Sequence, residues 1–355
     1  MASSLPWWHP SELARRRPFL DARRAALKAV RAYFQAEGFA EVETPILQVS
    51  GGIERHIRAL TTTLHEPLGQ GMAVRALHTS PEFAMKKLLV GGLPKIMQLA
   101  RVFRDGERSP LHSPEFTMLE WYRAGAGYEA MMADVAALLA KVAKAAHRAL
   151  EHDGLLRWQG RVCDPALSPE RVSVAEAFSQ HAGIDLLATV DDPAVPMPSP
   201  DALRAAAKAA GVQASVSDTW EDIFFRVMLE RIEPKLGEGR ATILYEYPAC
   251  LAALARRKPG DPRVAERFEL YACGVELANA FAELTDPAEQ RKRFEHDRAL
   301  HQALYGAAPP LDEDFLDALD AGLPDSAGCA LGFDRLAMLA AHAADITDVL
   351  WAPVN

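Results

Sequence analysis

Cysteine is scarce: Cys163, Cys250, Cys273 and Cys329 are the only four in 355 residues, far apart, with no C-x-x-C pair and no histidine at zinc-ligand spacing. This excludes a zinc ribbon and a disulfide-stapled scaffold, and makes buried, reduced thiols of a cytosolic protein the expectation. No apolar run is long enough to span a bilayer. The opening "MASSLPWWHPSELARRRP" lacks the apolar core of a signal peptide. We therefore expect a cytoplasmic protein with no membrane partner. Positive charge is in deficit, with a formal net charge of −9. That argues against broad, nonspecific nucleic-acid binding and leaves a local basic groove open. No internal repeat is visible, which sets a repeat architecture aside.

What is present is ordinary globular material, 49% hydrophobic and 25% charged, enough for a substantial core. The length suits one large domain or two modest ones. Leu20, Leu27, Val30 and Phe34 fall near helical spacing over 19–37, and Gly38 stands where that helix should stop. "FAEVETP" alternates like a half-buried strand ended by Pro45. "FAMKKLLVGGL" reads as a helix closed by Gly91 and Gly92. "KIMQLARVFRD" and "EFTMLEWYRA" read as an antiparallel pair joined by a long turn, and 128–150 as an amphipathic helix. From about 151 to 240 the pattern weakens. A proline-rich linker at 191–201 precedes helical segments near 202–211 and 219–232. Strand character returns with "ATILYEYP" and "RFELYACGVELANAF". A charged helix then leads to "GCALGFDRLAMLAA", read as strand, glycine turn and helix. The alternation predicts an α+β fold, a mostly antiparallel sheet carrying helices.

Three stretches carry chemistry. "EVETP" alone is an edge strand ended by proline. "RVFRDGERSPLHSPEFTMLEWYR" (101–123) interleaves charge with aromatics. Alone it reads as an exposed hairpin or as a phosphate site. Arg104 offers a planar fork for a phosphate and Phe116 a ring for a purine. The third stretch joins "GVELANAFAELTD" to "GCALGFDRLAML", the latter by itself common helix-entry chemistry. Glu276 and Glu283 are seven positions apart, so strict alternation puts them on opposite faces. A bulge or turn near Asn279 is needed for both to reach one site, where two carboxylates would meet a nucleotide through magnesium.

Taken in order, "EVETP", "SPEFAMKKLLVGG", "RVFRDGE…HSPEFTMLEWY", "ELANAFAEL" and "ALGFDRLAML" resemble the three motifs of class II aminoacyl-tRNA synthetases, specifically the lysyl type. The resemblance runs from about residue 19 to the C-terminus and is weakest between 151 and 240. It implies an N-terminal leader over 1–18, a catalytic domain over 19–355 and a helical insertion at about 151–240. It also implies a homodimer built on the first motif. Lysyl-tRNA synthetases carry an N-terminal OB fold that reads the anticodon, and none fits before residue 19. The chain is thus most similar to the stand-alone paralogues of that enzyme. These would activate (R)-β-lysine with ATP and Mg2+ and attach it to a lysine side chain of elongation factor P, without tRNA. A truncated lysyl-type amino-acid:tRNA ligase and a non-catalytic regulatory paralogue are the alternatives.

The roles implied by the resemblance are specific. Arg104 contacts the α-phosphate, Arg335 the far end of ATP, and Phe116 stacks on adenine; Arg104, Arg335 and Glu283 form the catalytic set. Glu276 and Glu283 hold magnesium, Glu283 also facing the substrate amine. Ser80, Glu82, Tyr122, Asn279 and Ala330 line the amino-acid pocket, while Leu277 and Gly332 border ATP. Ser80 replaces the usual alanine and Ala330 the usual glycine of lysyl-tRNA synthetases. Gly106 stands where the motif-two glutamate normally falls, with Glu107 the next residue, and Ser113 replaces an asparagine.

Overall fold

A computed structural model of the chain describes residues 5–354. The first helix, α1 (Pro10–Ala36), begins nine residues before its expected start, because His9 caps it and Pro10 occupies its first turn. The expected leader is therefore part of the fold, apart from residues 1–4, which lie outside the described residues. Arg15 pairs with Asp348 at 2.8 Å, and the buried Arg16 donates to the Leu350 carbonyl. These contacts seat the helix start on the C-terminal segment. Gly38 then turns the chain at φ +76°, a conformation that favours glycine.

The "FAEVETP" strand is short: β1 (Ala40–Glu41) pairs parallel with a later strand, and the chain beyond it leaves the ladder. β2 (Leu47–Gln48), β3 (Thr61–His65) and β4 (Met72–Leu77) make a separate three-stranded sheet in the order β2-β4-β3. It leaves Leu47, Leu64, Met72 and Val74 exposed. α2 (Glu82–Val90) ends at Gly91, with Gly92 at φ +97°. β5 (Lys95–Phe103) and β6 (Glu115–Ala124) pair antiparallel from Lys95↔Arg123 to Phe103↔Glu115. α3 (Tyr128–Leu150) buries Met131, Val135, Leu138, Val142 and Ala146 along one stripe.

The insertion is helical only in part. β7 (Leu156–Trp158), β8 (Arg161–Asp164) and β9 (Glu170–Ser173) come first. Then follow α4 (Val174–Ala182), α5 (Pro200–Ala209) and α6 (Trp220–Val227), the first and last opened by capping boxes, Ser173 with Glu176 and Thr219 with Asp222. Phe178, Trp220 and Phe224 stack in a core belonging to these helices. β10 (Gly239–Arg240) pairs with β8, so the small sheet β10-β8-β7 anchors the insertion on both sides. The 191–201 segment is irregular up to Ser199, as its prolines predict.

The remaining strands are β11 (Thr242–Tyr245), β12 (Arg267–Ala272) and β13 (Val275–Ala282). α7 (Pro287–Tyr305) and α8 (Glu313–Gly322) precede β14 (Ser326–Gly332) and α9 (Phe333–Ala340). The main sheet runs β1-β5-β6-β14-β13-β12-β11-β9, antiparallel throughout its middle and parallel only at the two edge pairings. That is the α+β architecture expected. α1, α3 and α9 cover one face, and the main core lies between them and the sheet. The opposite face forms the floor of a cleft. Among the described residues the four cysteines are free thiols, three buried and Cys250 half-buried.

Candidate active site

Strand alternation decides which side chains reach the cleft. On β6, Leu119 and Trp121 enter the core, while Phe116, Met118, Glu120 and Tyr122 point the other way. On β14, Ala327, Cys329 and Leu331 are core, and Gly328, Ala330 and Gly332 lie opposite Tyr122, Glu120 and Met118. On β12, Phe268 and Leu270 are core, whereas Arg267 and Glu269 line the cleft.

β13 breaks the count. Its register against β12 shifts, with Leu270 opposite Ala278 and Tyr271 opposite Glu276, so Leu277 is the extra residue. Leu277 and Ala278 both pack into the core, and Glu276, Asn279 and Phe281 face the cleft. The bulge expected near Asn279 is present two residues earlier, and it does bring Glu276 and Glu283 to one face. They still do not share a metal ion. Six or seven strand steps at roughly 3.3 Å separate them by about 20 Å, beyond the reach of two glutamates to one cation. The carboxylate that faces Glu276 is Glu269, which together with burial pushes the Glu276 carboxyl up to about 7. The two carboxylates that oppose each other here are thus Glu269 and Glu276, not Glu276 and Glu283. Glu269 is held by Arg267 (2.7 Å), Tyr247 (2.5 Å) and Tyr271 (2.7 Å).

One cavity of about 400 Å³ is lined by Ser80, Glu82, Arg104, Glu107, Ser113, Phe116, Tyr122, Glu276, Leu277, Asn279, Ala330, Gly332 and Arg335. Thirteen scattered sequence positions thus converge. Leu277 borders it from a bulge whose side chain packs in the core. At one end the Arg104 guanidinium lies 5.3 Å from the Phe116 ring centre, and its buried Nε has no partner in the protein. Gly106, at φ +82°, turns the chain so that Glu107 comes within 3.7 Å of Arg104. Glu107 thereby enters the cavity that Gly106 itself does not reach. Arg335 donates to the Glu276 carbonyl (3.0 Å) and to His112 Nε2 (2.6 Å). Burial and the Arg335 charge lower the His112 pKa and favour the neutral ring that accepts this bond.

The other end is acidic. Ser80 donates to Glu120 Oε1 at 2.5 Å and Tyr122 to its Oε2 at 2.8 Å. Burial, then the nearby Glu82, push the Glu120 carboxyl up to about 8. Glu283 lies beneath this end, fully buried, and burial pushes its carboxyl up to about 8 against the pull of Lys86. Glu82 lines this end, and Glu120 and Glu283 are buried against its lining residues Ser80, Tyr122 and Gly328, which gives acidic surroundings suited to ammonium groups. Ser80 is tied to Glu120 and orients that carboxylate. Asn279 accepts from Arg267 at 3.0 Å and stands opposite Ala330.

Three functional residues escaped the sequence reading. Glu120 and His112 lie inside the 101–123 stretch, but only strand parity and the Arg335 contact single them out. Glu269 precedes Glu276 by seven positions, a spacing that conveys nothing until the β12–β13 register is known.

Comparison with known proteins gives the family. The family model described as tRNA synthetases class II (D, K and N) matches residues 13–355. Among curated proteins, the chain is 35% identical over 348 residues to a Haemophilus influenzae protein named elongation factor P–(R)-β-lysine ligase, covering 98% of both chains. Proteins of the same name are 37% identical in Histophilus somni (97% of this chain, 96% of the relative) and 38% identical in Salmonella paratyphi B, with the same coverage.

Proposed function

Since the chain belongs to the class II tRNA synthetases of the D, K and N group, we propose that it activates (R)-β-lysine with ATP and transfers it to a lysine side chain of elongation factor P. The observation that carries this reading is the continuity of two half-sites. A phosphate-binding end built on Arg104 and Arg335 shares one cavity with Glu82, and the buried Glu120 and Glu283 carboxyls lie just behind the lining of that acidic end. A diamino acid fits that pairing, its ammonium groups among the carboxylates and its carboxylate towards the nucleotide.

In the first step the β-lysine carboxylate oxygen attacks the α-phosphorus of ATP. The bond to the bridging oxygen breaks, and pyrophosphate leaves an acyl-adenylate. Arg104 neutralises charge building on the α-phosphate, and Arg335 holds the far phosphates. Phe116 stacks on adenine. In the second step the amine of the acceptor lysine attacks the acyl carbon, an amide forms, and AMP leaves. No protein side chain forms a covalent bond. Glu269 and Glu276 would hold Mg2+, their mutual repulsion being the charge excess a divalent cation offsets, and the ion would supply charge neutralisation at the phosphates.

The chain acts as a homodimer through the β1–β4 region, whose exposed Ile46, Leu47, Val49, Met72 and Val74 form an apolar surface; a fully active monomer in sedimentation would contradict this. We place the reaction in the cytoplasm, where elongation factor P works. The function is tested by ATP–pyrophosphate exchange with (R)-β-lysine, followed by mass analysis of elongation factor P. Charging of bulk tRNA in place of elongation factor P would overturn it in favour of an amino-acid:tRNA ligase. No exchange with any amino acid would favour a non-catalytic paralogue.

A further inference from the structure

We propose that Lys86 is a built-in counter-ion that fixes the charge of the amino-acid pocket, so that the pocket selects a substrate carrying two ammonium groups over one carrying a single amine. The inference rests on the reading of that pocket given above.

Lys86 lies on α2, one turn after Glu82, with its side chain 1% exposed. Its Nζ meets Glu82 Oε1 and, at 2.5 Å, Glu283 Oε2. The Phe281 ring centre is 5.3 Å away and the Phe315 centre 6.0 Å. Burial of this kind normally strips the charge from a lysine. Here the two carboxylates outweigh burial and hold the ammonium charged, its pKa well above the ordinary value.

The charges then count simply. Among the buried groups at this end and Glu82, the three carboxylates contribute three negative charges when ionised and Lys86 one positive charge, which leaves an excess of two; Glu54 lines the cavity farther out, on its exposed side, and stands outside this set. Two substrate ammonium groups match that excess and one does not. A second observation points to a ligand. Both Glu283 oxygens are buried without a hydrogen-bond partner in the protein; Lys86 meets Oε2 as an ion pair, and Oε1 is the one left for a donor. It lies against Gly328 beside the Tyr122 ring, an added Cβ there standing 2.6 Å from the oxygen and closer still to the ring, and Gly328 and Tyr122 both line the cavity. A buried carboxylate oxygen without a donor is costly, so this acceptor is set for a donor that arrives with the substrate. Lys86 occupies the other oxygen of the same carboxylate and so leaves Oε1 for the incoming amine. It touches none of the reacting atoms and acts through Glu82 and Glu283 as a positioning residue.

Pyrophosphate exchange on the full-length enzyme tests this with (R)-β-lysine and with (R)-3-aminohexanoate, which lacks the second amine. Lys86→Met should raise the KM for β-lysine at least tenfold, with kcat and the KM for ATP within about threefold. The preference for β-lysine over the monoamine should fall by a similar factor, and Lys86→Arg should recover part of both losses. Adding Glu82→Gln to Lys86→Met returns the charge excess to two, so the double variant should have a KM no higher than Lys86→Met alone. Multiplying single-variant effects, or a parallel fall in kcat, ATP affinity and melting temperature, would overturn the counter-ion. If Lys86→Met does not fold, folding of the double variant carries the same test: recovery supports the counter-ion and no recovery overturns it. Wild-type enzyme that gives no exchange with β-lysine would remove the functional reading itself, whatever the variants do.

Discussion

Ala330 stands directly opposite Asn279 on one neighbouring strand and opposite Glu120 on the other. Its methyl group therefore sits between an amide and a carboxylate of the amino-acid pocket. A β-amino acid carries its amine one carbon farther from the carboxylate than an α-amino acid does, so a methyl here crowds the amine of α-lysine more than that of β-lysine. Ala330→Gly should raise the relative use of α-lysine. A change of this size in a pocket is worth about 1–3 kcal/mol, or roughly 10–200-fold in the specificity ratio. Exchange rates with both isomers on both proteins give the answer. An unchanged ratio of kcat/KM would remove Ala330 from substrate selection.

Arg104→Lys should cut adenylate formation on the order of 10²–10³-fold while the fold persists. Lysine keeps the charge, but it cannot reproduce the planar fork that lies against Phe116. Near-normal exchange, with an unchanged circular dichroism spectrum, would take Arg104 out of the reaction.

The affinity for β-lysine should rise with pH. The Glu120 and Glu283 carboxyls, each pushed up to about 8 chiefly by burial, are largely protonated at pH 6, and ammonium binding needs them ionised. Glu82, Lys86, Ser80 and Tyr122 also face this pair: Glu82 adds to the upward push, while the Ser80 and Tyr122 hydrogen bonds and the Lys86 charge favour the ionised form without cancelling it. The dissociation constant should fall as pH rises from 6 to 8, by up to roughly tenfold per unit for each proton displaced. Calorimetric titration across that range, with Glu120→Gln showing a shallower slope, checks the sign. A flat profile would mean that both carboxylates are already ionised.

Arg23→Met should destabilise the protein by about 3–5 kcal/mol. Arg23 on α1 and Asp334 on α9 form a buried ion pair, to which Thr117 adds its hydroxyl and its amide. Removing the arginine leaves the buried Asp334 side chain without its ion-pair partner and with one backbone donor, the Thr117 amide. Urea unfolding measures the loss, and a value below about 1 kcal/mol would mean that the buried pair contributes little to stability.

Much of the frame was legible because burial imposes a period. β5, β6 and α3 bury continuous faces, and their expected spans agree with those observed within a residue or two. The β2-β4-β3 sheet carried no such signal. All five residues of β3 are exposed, and an exposed strand has no alternation to read. The start of α1 was hidden in the same way, since its first turns bury Arg16 instead of an apolar stripe. At the site, the residues within the motif stretches converge as the resemblance implied. Glu269 and Glu120 were passed over because their roles depend on register across strands. Glu283 was given a metal because counting along the chain takes no account of distance.

The extra residue at Leu277 has a consequence for how this site tolerates change. It sets the phase between two parts of one strand: Glu276 on the nucleotide side, Asn279 and Glu283 on the amine side. Substitutions leave that phase intact. Loss or gain of a single residue between 276 and 279 would rotate one part by half a turn relative to the other, sending a glutamate into the hydrophobic core or an alanine into the cleft. The strand behaves like a vernier whose two scales agree at one setting. Its amino-acid preference is thus open to reshaping by exchange of side chains, while its length is fixed.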